Sequence, residues 1–552
     1  MAAATLAAAF LYVLLPMPRR SLSLPARPVL PATATGALHV HTNRSDGSGS
    51  PDDVAAAAAR AGLQFVILTD HGDGTRVPDP PQYRSGVLVI DAVELSTSEG
   101  HYIAIGLPPT PYPLRGDARD VVDDVRRLGG FGIVAHPDSA KPGLRWRAWD
   151  VPFDAMEWLN ADTEWRDERP LQLARALLRY PFRRVETLAS LLDRPDATLS
   201  RWDALTRLRP IVALAGADAH ARAGWRDDEE NGYRRGRYLR LPSYEVSFRT
   251  FALRVPLDRA IGGDAPSDAA RIITSMKAGQ VYSAIDAIGS PAALDFTATA
   301  GTRIASPGAS FESAGAVTFE ARTNATAGGV IVLRKDGRIL IQEPLPRLRY
   351  ESTSGNGAYR IEVYLSGAPG NPPVPWIVSN PIYIQPPGWG VRPAVVEAAA
   401  REGLPIQGGP WHVEKDAGSQ AEVSHPDPPS GPVEFHYSLA GGSSVGQYAA
   451  LAVSVGSALR ERARLVFRAR ASQPMRISVQ ARRPQSGERW QRSVYLDTTT
   501  RDVIVPFREL RAVGGAMAFN PGLVDTVLFV VDTTNANSGG EGRVTLGDLR
   551  VE

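Results

Sequence analysis

Residues 37–47 read Ala37-Leu-His-Val-His-Thr-Asn-Arg-Ser-Asp-Gly47, and the first half of the chain is organised around them. His39 and His41 follow a short apolar approach, with Asp46 five residues further on. In an extended strand, positions i and i+2 share a face. The spacing therefore predicts two imidazoles at a strand end that close on one metal ion. The chain has 9 His, and six of them, His39, His41, His71, His101, His136 and His220, lie in or beside apolar runs that read as strands. The other three, His412, His425 and His436, lie far downstream.

Outward from this stretch, residues 50–62 predict a helix. Ser50 caps it, Pro51 sits in the first turn, Asp52 and Asp53 oppose the dipole, and Gly62 stops it. Gln64-Phe-Val-Ile-Leu-Thr-Asp70-His71 predicts a buried strand with polar groups only at its C-terminal end. Val87-Leu-Val-Ile90 leads to Glu94, and His101 precedes Tyr102-Ile-Ala-Ile105. Residues 117–128 predict a second helix, and Phe131-Gly-Ile-Val-Ala135 runs into His136-Pro137. Phe153-Asp-Ala-Met-Glu157 is a further short strand. Helical patterns over 168–180 and 185–207 precede Ile211-Val-Ala-Leu-Ala215, which runs into Gly216-Ala-Asp218-Ala-His220. Alternating strands and helices indicate a parallel α/β fold. Polar residues placed repeatedly after apolar strands predict a closed or nearly closed parallel barrel, with those residues gathered on its C-terminal face.

Residues 221–289 read as a charged connector and a return to the barrel, with Ile272–Ser283 a short helix, a Gly stop and a strand. From about 290 the pattern becomes all-β. Val330–Leu333 and Ile339–Ile341 flank an Asp336-Gly337 turn, a hairpin signal. Tyr359, Ile361, Val363 and Leu365 alternate with Arg360, Glu362 and Tyr364, which predicts a strand with one buried and one polar face. This region, 290–387, reads as an immunoglobulin-like β-sandwich closed by the linker Pro386-Pro-Gly388. Residues 388–552 alternate again, as in Leu465, Phe467 and Ala469 against Arg468 and Arg470, and predict a jelly-roll-like accessory β domain.

Composition bounds these readings. The chain has 552 residues, enough for several domains, and its 43% hydrophobic and 22% charged residues are those of a globular protein. With 61 basic and 59 acidic residues it carries no strong nucleic-acid signal. It has no Cys, so disulfides and thiolate metal sites are excluded and any metal must take His and carboxylate ligands. Residues 1–31 form an apolar leader and a Pro/Ser-rich tether, with Arg19 and Arg20 after the apolar stretch. The leader resembles a secretory signal or an N-terminal membrane anchor, which predicts an exported (periplasmic or extracellular) or anchored protein; a cytoplasmic location is the alternative.

His39-Val-His41 with Asp46, Thr69-Asp70-His71, Glu94, Gly100-His101, His136-Pro137 and Asp218-Ala-His220 together resemble the motif series of the PHP (polymerase and histidinol phosphatase) superfamily. The resemblance spans about residues 36–285 and implies a distorted (β/α)7 barrel over 32–289, followed here by two all-β sandwich domains. It implies two or three divalent ions, Zn, Mn or Fe. His39, His41, Glu94 and Asp218 would surround the first, Glu94 would bridge to a second shared with His101 and His136, and Asp46, His71 and His220 would hold the third. Asp70 and Asp73 read as orienting or turn residues beside His71. Trp146, Trp149, Trp158 and Trp165 read as packing residues, with a pocket wall as the alternative. Arg44, Lys141, Arg145 and Arg222 follow ligand-bearing strands and are candidates for holding a substrate anion, against simple solvation.

The resemblance implies a metal-dependent hydrolase that attacks with a metal-bridged hydroxide, foremost a phosphoesterase acting on small-molecule phosphomonoesters or phosphodiesters. Trp376-Ile-Val-Ser-Asn-Pro-Ile-Tyr383 resembles a branch with a C-terminal β-domain that includes carbamate hydrolases. Carbamate or carboxylic ester cleavage is therefore the alternative. A non-catalytic surface protein that binds carbohydrate through its C-terminal domain is the alternative of another class.

Overall fold

A computed structural model describes residues 5, 17–26, 32–224, 229–230, 233–234, 238–239, 241–313, 315–352, 355–385, 403–406, 410–424, 432–442, 446–484, 486–514 and 517–552. Nearly all of the leader, the Pro386-Pro-Gly388 linker and His425 lie outside these residues. Among the described residues no helix is long and apolar enough to cross a membrane. The chain is mixed α/β and divides into two compact units: 1–72, 77–108 and 122–391 in the first, and 73–76, 109–121 and 392–552 in the second.

In the first unit, β1 (Ala32–Val40) is followed by α1 (Pro51–Arg60), whose Ser50 and Asp53 form a reciprocal capping box. β2 (Phe65–Leu68), the two-residue β3 (His71–Gly72) and β4 (Val87–Thr97) follow. β2 pairs parallel with both β1 and β4, and β3 pairs parallel with β4. β5 (Gly100–Ile105) breaks the expected parallel order, since it runs antiparallel to β4 and to β6 (Phe131–Val134). The reason is local. Only Ser98 and Glu99 separate β4 from β5, and so short a connection makes a hairpin, because a parallel crossover needs a dozen residues or more. Gly100 takes the left-handed φ of +124° at the start of the returning strand, and a Cβ there would lie 2.9 Å from the Arg145 carbonyl oxygen.

Parallel order resumes with β7 (Ala155–Asn160) and β8 (Val212–Gly216). Chain beyond β8 returns to β1: Ala217 N–H donates to Leu38 O (2.8 Å), Ala219 N–H to His39 O (3.1 Å) and His41 N–H to Ala219 O (3.0 Å). The strand pairings thus close on themselves.

The helices include α2 (Ala118–Arg127), α3 (Ala161–Arg166), α4 (Pro170–Arg179), α5 (Arg184–Ala189) and α6 (Asp196–Thr206). The single pattern expected over 185–207 is two helices: α5 stops at Ala189, and α6 starts only after Pro195, which stands at its N-cap and has no N–H to continue a helix through it. After α7 (Tyr244–Thr250), β9 (Ala252–Leu257) pairs antiparallel with β1. α8 (Ala265–Lys277) leads to β10 (Tyr282–Ala284), which joins strand Ile377–Ser379.

Downstream, Gly329–Lys335 and Arg338–Pro344 form the expected hairpin. Asp336 and Gly337 both take positive φ (50° and 85°), the backbone of the tight turn that matches strand twist. Strand Gly357–Leu365 departs from the expected one-sided burial. Arg360 (3% exposed) and Glu362 (0%) are as buried as the apolar residues beside them. They satisfy one another: Arg360 Nη2 donates to Glu362 Oε1 at 2.8 Å, Arg334 Nε lies 2.7 Å from Glu362 Oε2, and Asp203 binds the Arg360 guanidinium.

The second unit contains two six-stranded antiparallel sheets. One carries Arg464–Ala471 and Glu541–Val551, the other Met475–Arg482 and Thr526–Asp532. Their inward residues, among them Phe467, Val544, Val479 and Phe529, share one core. Strand Met475–Arg482 also buries Arg476 and Gln480, which simple alternation places in solvent.

Candidate metal centre

Five of the six imidazoles gather around Glu94, which lies within β4 and is 1% exposed, and His220 joins them through Asp46 and His41. One carboxylate oxygen, Oε1, stands 2.9 Å from both His101 Nδ1 and His136 Nε2. The other, Oε2, stands 3.3 Å from His39 Nε2, 3.2 Å from His41 Nε2 and 3.3 Å from His71 Nδ1. Asp218 Oδ1 adds 3.4 Å to His39 Nε2 and 3.5 Å to His41 Nε2. Asp46 completes the other side, with Oδ2 3.2 Å from His220 Nε2 and 3.8 Å from His71 Nε2, and Oδ1 3.4 Å from His41 Nδ1. His41 and His220 stack with centroids 4.1 Å apart.

The route by which His39 and His41 converge differs from simple strand alternation. The β1–β2 register shifts between Ala37 and Val40, and His39 has φ +67°. A bulge with a left-handed residue re-aims one imidazole relative to the other. Two further members of the cluster, His136 (φ +29°) and Asp218 (φ +42°), also have positive φ. Such conformations cost about 1–3 kcal/mol each in a residue with a side chain and are kept where the surroundings hold them. His101 reaches the cluster from the start of β5 because that strand runs backwards, so its first residues lie where the parallel strands end.

Glu157 is the member that sequence reading missed. It is fully buried on β7, and its Oε1 lies 2.7 Å from His39 Nδ1. Its Oε2 accepts from the His136 N–H (2.7 Å) and from Asn160 Nδ2 (2.8 Å). A carboxylate at Nδ1 keeps the proton on that nitrogen and leaves the Nε2 lone pair facing Glu94 and Asp218. Room for Glu157 comes from Gly216 on β8, where a Cβ would sit 1.7 Å from Glu157 Oε1. The available signal was an acid inside an apolar strand just before the polar Asn160.

Tyr244 was also missed. Its hydroxyl donates to His41 O (2.8 Å) and accepts from the Ser48 and Gly49 N–H groups (3.1 and 3.2 Å), fixing the loop that carries Asp46. Asp70 holds the same loop by accepting from Thr42 N–H, Thr42 Oγ1 and Ser45 Oγ, each at 2.7 Å. Asp73 accepts from the Thr75 N–H in its own turn and from the distant Arg115 guanidinium.

Among the cationic candidates, Arg222 is nearest the cluster, with Nη1 3.5 Å from the Asp46 carbonyl oxygen. Arg44 is engaged by Asp79 and Asp91. Arg145 is exposed and donates to Ser139 O, and Lys141 is half-buried in the turn after His136. Trp146 and Trp158 are core residues; Trp146 stacks on Tyr102, and Trp158 donates to Ser283 Oγ. Trp149 lies under the Arg201 guanidinium, and Trp165 is 38% exposed. His412 is exposed and His436 half-buried, and they sit beside Glu414 and Glu434.

The electrostatics of the cluster show what it lacks. Burial would strip the proton from His39, but Asp218, Glu157 and Glu94 outweigh it and hold its pKa well above the ordinary value. His41 is likewise raised to about 10, against burial, by Asp218, Glu94 and Asp46. Burial pulls His71 down to about 4 despite Glu94. Glu94 and Asp218 stay well below the carboxylate range although buried, because imidazoles surround them. Both ring nitrogens of His41 and Nδ1 of His136 are buried with no aligned hydrogen-bond partner.

Four carboxylates, Asp46, Glu94, Glu157 and Asp218, therefore face six imidazoles with, among the described residues, no fixed cation between them. Nitrogen and carboxylate donors of this kind suit Zn, Mn or Fe, and their four negative charges equal those of two divalent ions. Four groups of these side chains bring their donor atoms within 4.8 Å of one another. They are His41–Asp46–His71–His220, His39–His41–Glu94, His39–His136–Asp218 and His71–Glu94–His101. The side chains present fit divalent metal.

No family model matches the chain, and no curated protein matches it. Among solved structures, one similar to it is a two-domain protein containing a predicted PHP-like metal-dependent phosphoesterase from Bacteroides vulgatus. It is 13% identical, with 65% of this chain and 99% of that chain covered and a TM-score of 0.29. Another is a family 11 carbohydrate-binding module of a cellulosomal cellulase from Clostridium thermocellum. It is 12% identical, covers 27% of this chain and 92% of its own, and has a TM-score of 0.22. Both likenesses are remote.

Proposed function

We propose that the chain is a metal-dependent hydrolase of the PHP type, with a distorted (β/α)7 barrel over 32–289, and that it cleaves phosphoesters. The observation that carries this reading is the position of Glu94, a buried acid whose two oxygens divide five imidazoles between them. His39, His41, Glu94 and Asp218 would hold one ion, Glu94, His101 and His136 a second, and Asp46, His71 and His220 a third. Bound there, such ions lower the pKa of water and offset charge on the oxygens of a reacting ester.

The chain's own residues do the rest. Glu157 fixes the tautomer of His39 and anchors the backbone of His136. Tyr244 and Asp70 hold the Asp46 loop. Arg222, beside the Asp46 carbonyl, is placed to meet an anionic ester group. Immunoglobulin-like (290–387) and jelly-roll-like (388–552) domains after the barrel, and export or membrane attachment through residues 1–31, belong to the same proposal.

The test is metal analysis of the purified protein, followed by turnover of nitrophenyl phosphate, bis-nitrophenyl phosphate and naphthyl carbamate with added Mn or Zn. Turnover of a phosphoester that is lost in His39→Ala and Asp218→Ala supports the reading. Turnover of the carbamate alone moves it to carbamate hydrolysis. Activity that survives both substitutions, or a protein that takes up no divalent metal, refutes it.

A further inference from the structure

A cavity of about 230 Å³ opens beside the metal centre, and two residues of the cluster, Asp218 and His220, line it together with Arg222. Its far wall comes from α4 and the segment around α5, with Leu173, Ala176, Leu188, Leu191 and Leu192 turned towards the space. Several polar groups of the wall are engaged elsewhere, while two hydroxyls, those of Tyr180 and Thr187, are buried without a hydrogen-bond partner among the described residues. Thr250 Oγ1 donates to Val246 O (2.9 Å), Glu164 Oε2 accepts from Asp193 N–H (2.8 Å), and the Trp165 indole donates to Asp162 Oδ1 (2.9 Å). What remains is a largely apolar chamber, with two isolated hydroxyls in its wall and the charged cluster at one end.

The helix that carries part of this wall also leaves apolar side chains in water. Leu177 lines the chamber yet is 60% exposed, and Leu178 and Phe182 on the same helical hairpin are 52% and 73% exposed. Large apolar side chains left in water beside an apolar chamber mark a binding surface.

We propose that the ester cleaved at the metal centre carries an apolar group, a chain or flat ring system, that occupies this cavity while the ester oxygens lie at Asp218, His220 and Arg222. The proposal rests on the hydrolase reading above. Size sets the class of group. A dry engineered cavity of about 150 Å³ admits benzene, so about 230 Å³ at the same volume per carbon takes roughly nine carbons. A polypeptide helix, about 10 Å across with its side chains, is too wide.

The experiment is calorimetric titration of the Mn-loaded full chain with methyl-, butyl-, hexyl- and octylphosphonate. These keep an anionic head and have no ester bond to cleave. Each added methylene is expected to tighten binding about fourfold until the chamber is full. Ala176→Phe fills the chamber and should stop the rise at the shorter chains. Leu177→Gln, at a position already in water, should weaken octylphosphonate several-fold without threatening the fold.

Affinity independent of chain length, an undiminished rise in Ala176→Phe, or no binding of octylphosphonate overturns the proposal. The two readings fail separately. A chain-length rise without turnover of any ester keeps the apolar occupant and sinks the hydrolase. Turnover without the rise keeps the hydrolase and sinks the occupant.

Discussion

Two buried clusters of charged side chains lie in the first unit, and they are built on opposite principles. Around Glu362, every acid meets a fixed cation: Arg360 and Arg334 flank Glu362, and Asp203 binds the far side of Arg360. Around Glu94, the acids meet imidazoles, which carry charge only when protonated. The first cluster is complete as it stands. Among the described residues the second has no such cation, and it balances its charge by taking up protons or metal ions. Burial and ion-pair distances are alike in the two, so neither property alone marks a functional site. The mark is a surplus of acid with lone-pair donors turned towards it.

The sharpest way to break this contrast is to remove the central acid of each cluster. Glu94→Gln takes the shared charge out of the metal centre. Ester turnover is expected to fall by about 10³-fold or more, a loss of about 4 kcal/mol of transition-state stabilisation, with fewer ions per chain in metal analysis. Arg360→Met leaves Glu362 and Asp203 buried beside a missing cation. It is expected to lower the unfolding free energy by about 3 kcal/mol and to leave metal content unchanged. If Arg360→Met instead empties the metal centre, the two clusters are not independent.

Acid and base sharpen the same contrast. Against burial, the surrounding arginines hold the Glu362 carboxyl down at about 2, below its ordinary 4.5. A depressed carboxyl contributes stability above its unfolded pKa. That share is full above pH 4.5 and is lost as pH falls towards 2, and Glu362→Gln should remove this part of the acid dependence. His41 has the opposite sign. Its pKa in the metal-free chain is raised to about 10 from 6.5, so its stabilising share is full below pH 6.5 and fades as pH rises towards 10. Metal bound by these imidazoles would take the place of those protons. Melting curves of metal-free protein should therefore decline across that alkaline range, while those of metal-loaded protein hold level. Parallel curves for the two forms would mean that the imidazoles are not where metal binds.

The sequence made the metal centre more legible than the arginine cluster, for a physical reason. Residues that gather on one face of an α/β fold follow their strands, so His71, Glu94, His136 and Asp218 could be listed from apolar runs alone. The expected parallel order failed at β5, yet His101 still arrived, because the hairpin that reverses the strand also moves the ligand from its end to its start. Arg360 and Glu362 misled the reading because alternation assumes that charge means solvent. Their partner Asp203 lies 157 residues away from Arg360, beyond the reach of any periodicity. Tyr244 reaches the His41 carbonyl across 203 residues and carries no local signal. Glu157 was hidden differently. A single acid in a short strand gives no hint of its role until Gly216, on a neighbouring strand, is seen to make room for it.

Glu157 also gives the finest test of the comparison, because it belongs to the metal centre without facing the shared oxygens of Glu94. Glu157→Gln keeps the size of the side chain and can still accept from the His136 N–H, but its amide cannot hold the proton on His39 Nδ1 as a carboxylate does. If the residue orients a ligand, metal affinity should fall by about 10–100-fold while the bound stoichiometry at saturating metal stays the same. If it is only a buried strut, the substitution should lower the melting temperature of metal-free and metal-loaded protein equally and leave affinity untouched. A competition titration against a chelator of known strength, run beside the two melting curves, separates these outcomes. A pure stability loss would place Glu157 with the balanced cluster around Glu362 and reduce the acid surplus of the metal centre from four carboxylates to three.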